Sequence, residues 1–347
     1  MPDAPLGDRI LEGSGSRSVL WRRRLAFGLV ILVVAAAASW AVTQTVSQGP
    51  TNAGGAGPAP SGSRTGSTTS TTAAPQPPFA VQDETVALTD FTRDTGARGD
   101  VPAQSGRILT TVIRRPVGPV GPLPLVVFAH GWNSDPQAYE TLLDEWASAG
   151  FLVAAPTFPD STDTLPGTPV TSFTEEAEDL SFVITAMLNG AAGKVDPSRV
   201  AVAGHSDGGT DVAVLALNPA FADHRIKAYL SLSSQIPDGV DGPWNATTPG
   251  SLMVAVGTDD EYGLYPDAYQ VYQSANMAKV FVSATGGDHL DTFLADTASA
   301  LAMRADTVKF LDAALGRHGL DSAQLAAVLS PTGDPSLVVD SAPASGQ

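Results

Sequence analysis

The stretch Arg199-Val200-Ala201-Val202-Ala203-Gly204-His205-Ser206-Asp207-Gly208-Gly209 changes character in its middle. Its first half is a short apolar run of the kind that forms a strand buried on both faces. Its second half contains Gly-x-Ser-x-Gly and leads into a helix-like segment ending at Leu217. A serine on so sharp a strand-to-helix turn needs strained dihedrals. The residues two before and two after it must then be glycine, because a side chain there would collide with the turn. The turn presents the hydroxyl at a helix N-terminus. The same five letters also arise by chance in glycine-rich loops, and the flanking strand and helix set this instance apart.

Working outward, strand-like and helix-like segments alternate. Strands are expected at Thr85 to Leu88, Ile108 to Ile113, Leu125 to Ala129, Leu152 to Ala155, Val200 to Ala203, Ala228 to Leu232, Leu252 to Val256 and Val280 to Ala284. Helices are expected at Asp135 to Ala149, Thr174 to Leu188, Ser206 to Leu217, Asp267 to Met277 and Asp291 to Leu315. This is the pattern of an α/β fold with a mostly parallel, eight-stranded sheet flanked by helices. The only generous loops near the strand ends are Phe158 to Phe173 and Ser233 to Gly250, too short for a large cap domain. Trp132, Phe158, Phe173 and Trp244 read equally well as the wall of an open substrate cleft or as packing, and Trp132, Phe158 and Trp244 are taken as the candidate substrate-binding residues.

A serine hydroxyl needs a base to take its proton and donors to hold the oxyanion. After a nucleophile on such an elbow, acid and histidine follow in that chain order. Of the histidines, only His224, His289 and His318 lie downstream of Ser206. His289 stands in a short glycine-containing loop just after the last expected strand, where an imidazole can reach back over the nucleophile. His224 precedes a strand and His318 is in the tail, so both read as surface residues. The acid should follow the strand Leu252 to Val256, where Asp259, Asp260 and Glu261 are all available and spacing does not choose among them. A calcium site built from the same cluster lacks a recognisable loop pattern. The turn Phe128-Ala129-His130-Gly131-Trp132-Asn133 places the backbone amide of Trp132 as one oxyanion donor, and that of Asp207 as the other. His130 reads as a packed residue shaping this turn.

From about Val86 to Leu315 the chain resembles the secreted bacterial branch of α/β-hydrolases related to dienelactone hydrolase, chlorophyllase and platelet-activating-factor acetylhydrolase. The resemblance rests on Asp90-Phe91-Thr92-Arg93, on Leu125 to Trp132, on Asp196 to Ser206 and on Gly286-Gly287-Asp288-His289 ahead of a helix. It implies an α/β-hydrolase fold, carboxylic ester hydrolysis on a small-molecule or lipid-like ester, and no metal or organic cofactor. It also implies Asp260, three residues after the strand-end glycine, as the acid. One departure is Asp207, where many relatives carry a neutral or bulky residue; its carboxylate is expected to point away from the ester. A serine peptidase or amidase would use the same residues, and a non-catalytic surface protein could keep the fold.

The rest of the chain bears on location. Residues 1–24 hold Arg17, Arg22, Arg23 and Arg24, and Leu25 to Val42 is an uncharged apolar run. At about 1.5 Å per residue such a run just crosses a hydrocarbon core of about 30 Å. The arginines stay in the cytoplasm, so residues 25–43 read as a single membrane anchor or a cleaved signal, with the remainder outside. Residues 44–78 are Gly, Pro, Ser, Thr and Ala and form a spacer. Residues 79–316 are the catalytic domain, and 317–347 a flexible tail with one apolar patch at Leu325 to Leu329. A net charge of -17 argues against nucleic acid as a partner. The absence of cysteine excludes disulfides and thiolate chemistry.

Overall fold

The computed structural model describes residues 78–316, 319–330 and 333–341. The basic segment, apolar run and spacer expected before Pro78 lie outside the described residues. Among the described residues, no helix is long and apolar enough to cross a membrane.

The strands are β1 (Ala80–Asp90), β2 (Arg107–Val117), β3 (Leu123–Ala129), β4 (Leu152–Thr157), β5 (Val195–His205), β6 (Ile226–Leu232), β7 (Ser251–Gly257), β8 (Ala278–Ala284) and β9 (Leu337–Asp340). They form one sheet in the order β1-β2-β4-β3-β5-β6-β7-β8-β9. Every pairing from β4 to β8 is parallel, and the β1–β2, β2–β4 and β8–β9 pairings are antiparallel. The sheet is therefore mostly parallel, with nine strands where eight were expected. The added strand comes from the segment read as a flexible tail.

The central strands are continuous apolar runs because both sheet faces are covered. Val127 on β3, Val202 on β5 and Val254 on β7 belong to one core. Their neighbours Val126, Ala201 and Met253 belong to the other, as the two-residue period of a strand requires. The first core is closed by α2 (Phe173–Leu188), α3 (Asp207–Leu217) and α4 (Tyr265–Ser274). The second is closed by α1 (Glu140–Ser148), the short α5 (Asp291–Leu294), α6 (Ala298–Gly316) and α7 (Ser322–Leu329).

Two expected helices are divided. Ahead of α1, a 3-10 turn spans Pro136–Tyr139, capped by the Asp135 carboxylate, which accepts from Gln137 N at 2.9 Å. Between α5 and α6, the buried Arg304 guanidinium donates to the carbonyls of Phe293 (3.1 Å) and Ala295 (2.8 Å), satisfying groups that a helix end leaves without partners. In the tail, Asp321 and Gln324 form a reciprocal capping box for α7. Its Leu325 and Leu329 complete the second core.

A buried ionic cluster ties the β1–β2 hairpin to the helices. The fully buried Arg107 bonds Asp179 through Nε (2.7 Å) and Nη2 (2.7 Å), and its Nη1 lies 2.6 Å from Asp160. Arg93 reaches Asp179 at 2.6 Å and Asp90 at 2.8 Å. The Asp90-to-Arg93 motif thereby meets α2, while Asp160 fixes the loop after β4. Removing one partner of a buried ion pair leaves an uncompensated charge and costs about 3–5 kcal/mol. Asp179→Ala is therefore expected to lower the unfolding free energy by about that amount in denaturant titration; a loss under about 1 kcal/mol would show the cluster to be dispensable.

Candidate active site

Among the described residues, the non-glycine residues with positive φ are Asn133 (56°), Ser206 (61°) and Ser233 (46°). They follow the C-terminal ends of β3, β5 and β6. Strain of this kind gathers where a fold holds residues for a task, and all three lie on the rim expected to carry the chemistry.

Ser206 has φ 61° and ψ -123° and stands immediately before α3. Its amide donates to Leu232 O (2.9 Å) and its carbonyl accepts from Thr210 N (3.0 Å), so β6 and the helix hold the strained residue from both sides. The glycine requirement is visible in space: a Cβ at Gly204 would collide with the carbonyl of Gly208, and one at Gly208 with the carbonyl of Ala129. At Gly131 a Cβ would lie 3.1 Å from the Ser206 Cβ, so the turn after β3 packs directly against the serine.

Asp260 and His289 are brought together by two crossing loops. Asp260 Oδ2 lies 2.8 Å from His289 Nδ1, and both residues are buried. The loop after β7 and the loop after β8 are joined by Asp259 N donating to Gly287 O (2.9 Å) and Gly286 N donating to the Thr258 hydroxyl (2.8 Å). A side chain at Gly257 would strike the Gly287 carbonyl, so glycine permits the crossing. Burial alone would raise the Asp260 carboxyl, but the bond from His289, its charge and the Tyr262 amide hold it below the ordinary value. Of the other carboxylates in this turn, Asp259 is exposed. Glu261 accepts the His289 backbone amide at 3.0 Å.

His205 was not singled out from sequence, yet its ring centroid lies 4.6 Å from that of His289. Its Nε2 donates to the His289 carbonyl at 2.9 Å, and its Nδ1 is 3.1 Å from the Tyr139 hydroxyl. Burial, with His289 alongside, pushes its pKa down to about 3. His130 has the packing role expected of it: Nδ1 donates to Gly131 O (2.8 Å) and Nε2 accepts from Phe158 N (2.9 Å). Burial takes its pKa down to about 4. The Asp207 carboxylate is engaged by the Thr171 hydroxyl at 3.0 Å.

The residues considered for a cleft divide. Trp132 is half-buried in the turn after β3. Trp244 is half-buried against the first core. Phe158 must be corrected: its side chain is wholly buried, with its ring 4.9 Å from His130, and it offers a substrate no surface. Phe173 is buried as well. His224 is exposed, away from this rim, and His318 lies outside the described residues.

Beneath α3, Glu176 and Asp211 are fully buried acids on facing helices. Burial first raises both well above the usual carboxylate range; repulsion from Asp207 and Asp179 adds to it at each, from Asp160 at Glu176 and from Glu176 at Asp211.

This architecture, with the strained serine between β5 and α3, is the α/β-hydrolase fold. The model of the family described as Chlorophyllase matches residues 102–250, a stretch that includes His130 and Ser206 and ends before β7. Among solved structures, a ferulic acid esterase from Streptomyces cinnamoneus matches with a TM-score of 0.53 and 19% identity, over 73% of this chain and 97% of that one. No curated protein matches. The sequence likeness to chlorophyllases thus covers residues 102–250, and the likeness to the esterase is one of fold.

The raised acids have a measurable consequence. Unfolded carboxyls ionise at about pH 4, whereas these native ones keep their protons to higher pH. Their contribution to stability is complete below the unfolded value and is lost as pH rises through the native one. Asp211→Asn should therefore raise Tm relative to wild type more at about pH 8 than at about pH 5. The same Tm difference at both would mean that the buried acids titrate normally.

Proposed function

We propose that this chain is a serine hydrolase of carboxylic esters, working through an acyl-enzyme on Ser206 with Asp260 and His289. The observation that supports it most is the 2.8 Å Asp260–His289 bond on the same rim as a serine held at φ 61°. The Asp260 bond fixes the imidazole tautomer, leaving Nε2 to act as base. His289 takes the Ser206 proton as the hydroxyl attacks the ester carbonyl, and the backbone amides of Trp132 and Asp207 hold the developing oxyanion. Asp207 begins α3, so the positive end of the helix dipole adds to that hold. The alcohol leaves with the proton from His289, and water repeats the sequence to free the acid.

The chlorophyllase-like stretch and the esterase neighbour support an ester as substrate, and a site without a large cap suits short-acyl or otherwise accessible esters beside Trp132. The arginines ahead of the apolar run 25–43 support a domain outside the cytoplasm, tethered through that run. Alkaline carbonate washing should leave the full chain in the membrane fraction; recovery of a soluble chain lacking those residues would make the segment a cleaved signal.

A fluorophosphonate probe should label the wild-type protein and not Ser206→Ala; equal labelling would remove Ser206 as nucleophile. His289→Ala should lower turnover by about three orders of magnitude or more. Matched ester and amide substrates separate the two hydrolase classes: faster amide cleavage would assign a peptidase or amidase.

A further inference from the structure

Gly131, Tyr139, His205 and His289 form one directed chain of hydrogen bonds through the interior of the site. A backbone carbonyl can only accept, so His205 Nε2 carries the proton and donates to the His289 carbonyl at 2.9 Å. Its Nδ1 then accepts, and the donor is the Tyr139 hydroxyl at 3.1 Å. That hydroxyl accepts in turn from Gly131 N at 3.2 Å. Every link runs the same way, so each bond polarises the next. The chain begins in the turn that packs against Ser206, passes through the residue just before it, and ends on the backbone of the proposed base.

The surroundings keep His205 in this state. It is 1% exposed, and Tyr139 (5.5 Å between centroids), His289 (4.6 Å) and Phe293 (5.3 Å) enclose its ring. A protonated ring would lose the acceptor that Tyr139 needs. Asp260 orients the His289 side chain from one loop. Nothing in that bond sets the distance of the loop from the nucleophile, which lies on a different strand.

We infer that His205 is a positioning residue, which sets the base loop against the nucleophile elbow by donating to the His289 carbonyl, with Tyr139 fixing its tautomer. This rests on the proposed roles of Ser206 and His289. A base displaced by about 1 Å costs about a hundredfold in rate, whereas substrate contacts are unaffected, so the signature is a kcat effect at constant KM.

The test is hydrolysis of p-nitrophenyl acetate by the full chain, with kcat expressed per active serine titrated by a fluorophosphonate, so that misfolded protein does not count. His205→Phe should lower kcat by about 10- to 100-fold, with KM within about twofold. His205→Gln, whose amide can still donate to the carbonyl, should recover most of the loss. Tyr139→Phe should cost about fivefold, the worth of one neutral hydrogen bond. His205→Asn, too short to reach the carbonyl, carries the expectation of the Phe variant should that variant not fold. A Phe or Asn variant with wild-type kcat per titrated serine, or a Gln variant as impaired as they are, overturns the inference. In both cases Ser206→Ala still fails to titrate, which marks the failure as this inference's own. If Ser206→Ala does titrate, the nucleophile assignment falls and the inference with it.

Discussion

The positive φ of Ser206 is the constraint to which the rest of the site is fitted. That conformation is costly for a residue with a side chain and persists because β6 holds the amide, α3 holds the carbonyl, and Gly204 and Gly208 let the backbones close in. Once β5 must pass into α3 this tightly, the neighbouring turns have little freedom. The turn after β3 packs so closely that a Cβ at Gly131 would lie 3.0 Å from the Tyr139 hydroxyl and 3.1 Å from the Ser206 Cβ, and the loop after β8 is drawn in through His205.

Polar groups are buried around this centre at some cost, and at two histidines that cost is met locally. The neutral histidines at 130 and 205 use both ring nitrogens, one to donate and one to accept, so neither leaves a desolvated polar atom unmatched. The Arg107–Asp179–Arg93 cluster fastens the hairpin at the far edge to α2, and Asp160 carries that rigidity into the loop after β4, whose Ser161 carbonyl accepts from Asn133 N at 2.7 Å. A continuous path of bonded groups thus runs from the first strand to the turn beside Ser206.

Much of the sheet was readable because buried parallel strands leave unbroken apolar runs such as Leu125 to Ala129 and Leu252 to Val256, and because an elbow glycine has a steric cause. The ninth strand was not, since Leu337 to Asp340 is four residues with only Leu337 buried, too short to show periodicity. The capping box at Asp321 and Gln324 was a local signal that could have revealed α7. Spacing offered three acids equally; the family resemblance pointed to Asp260, and the crossing of two loops is what brings its carboxylate 2.8 Å from His289. His205 escaped notice because its partners are a carbonyl 84 residues away and a hydroxyl 66 residues away. Phe158 was misjudged because an aromatic at a strand end has the same sequence signature whether it faces solvent or core.

The two margins of the sheet are finished in different ways. At one margin β9 covers part of β8 and then presents only four residues of its own, too short a ladder for another chain to extend. At the other, β1 is eleven residues long, largely exposed, and carries Asp83 and Glu84 in its middle. An approaching strand would there have to desolvate carboxylates on a molecule already strongly anionic. Brevity on one side and charge on the other leave this broad sheet no inviting seam for runaway self-association.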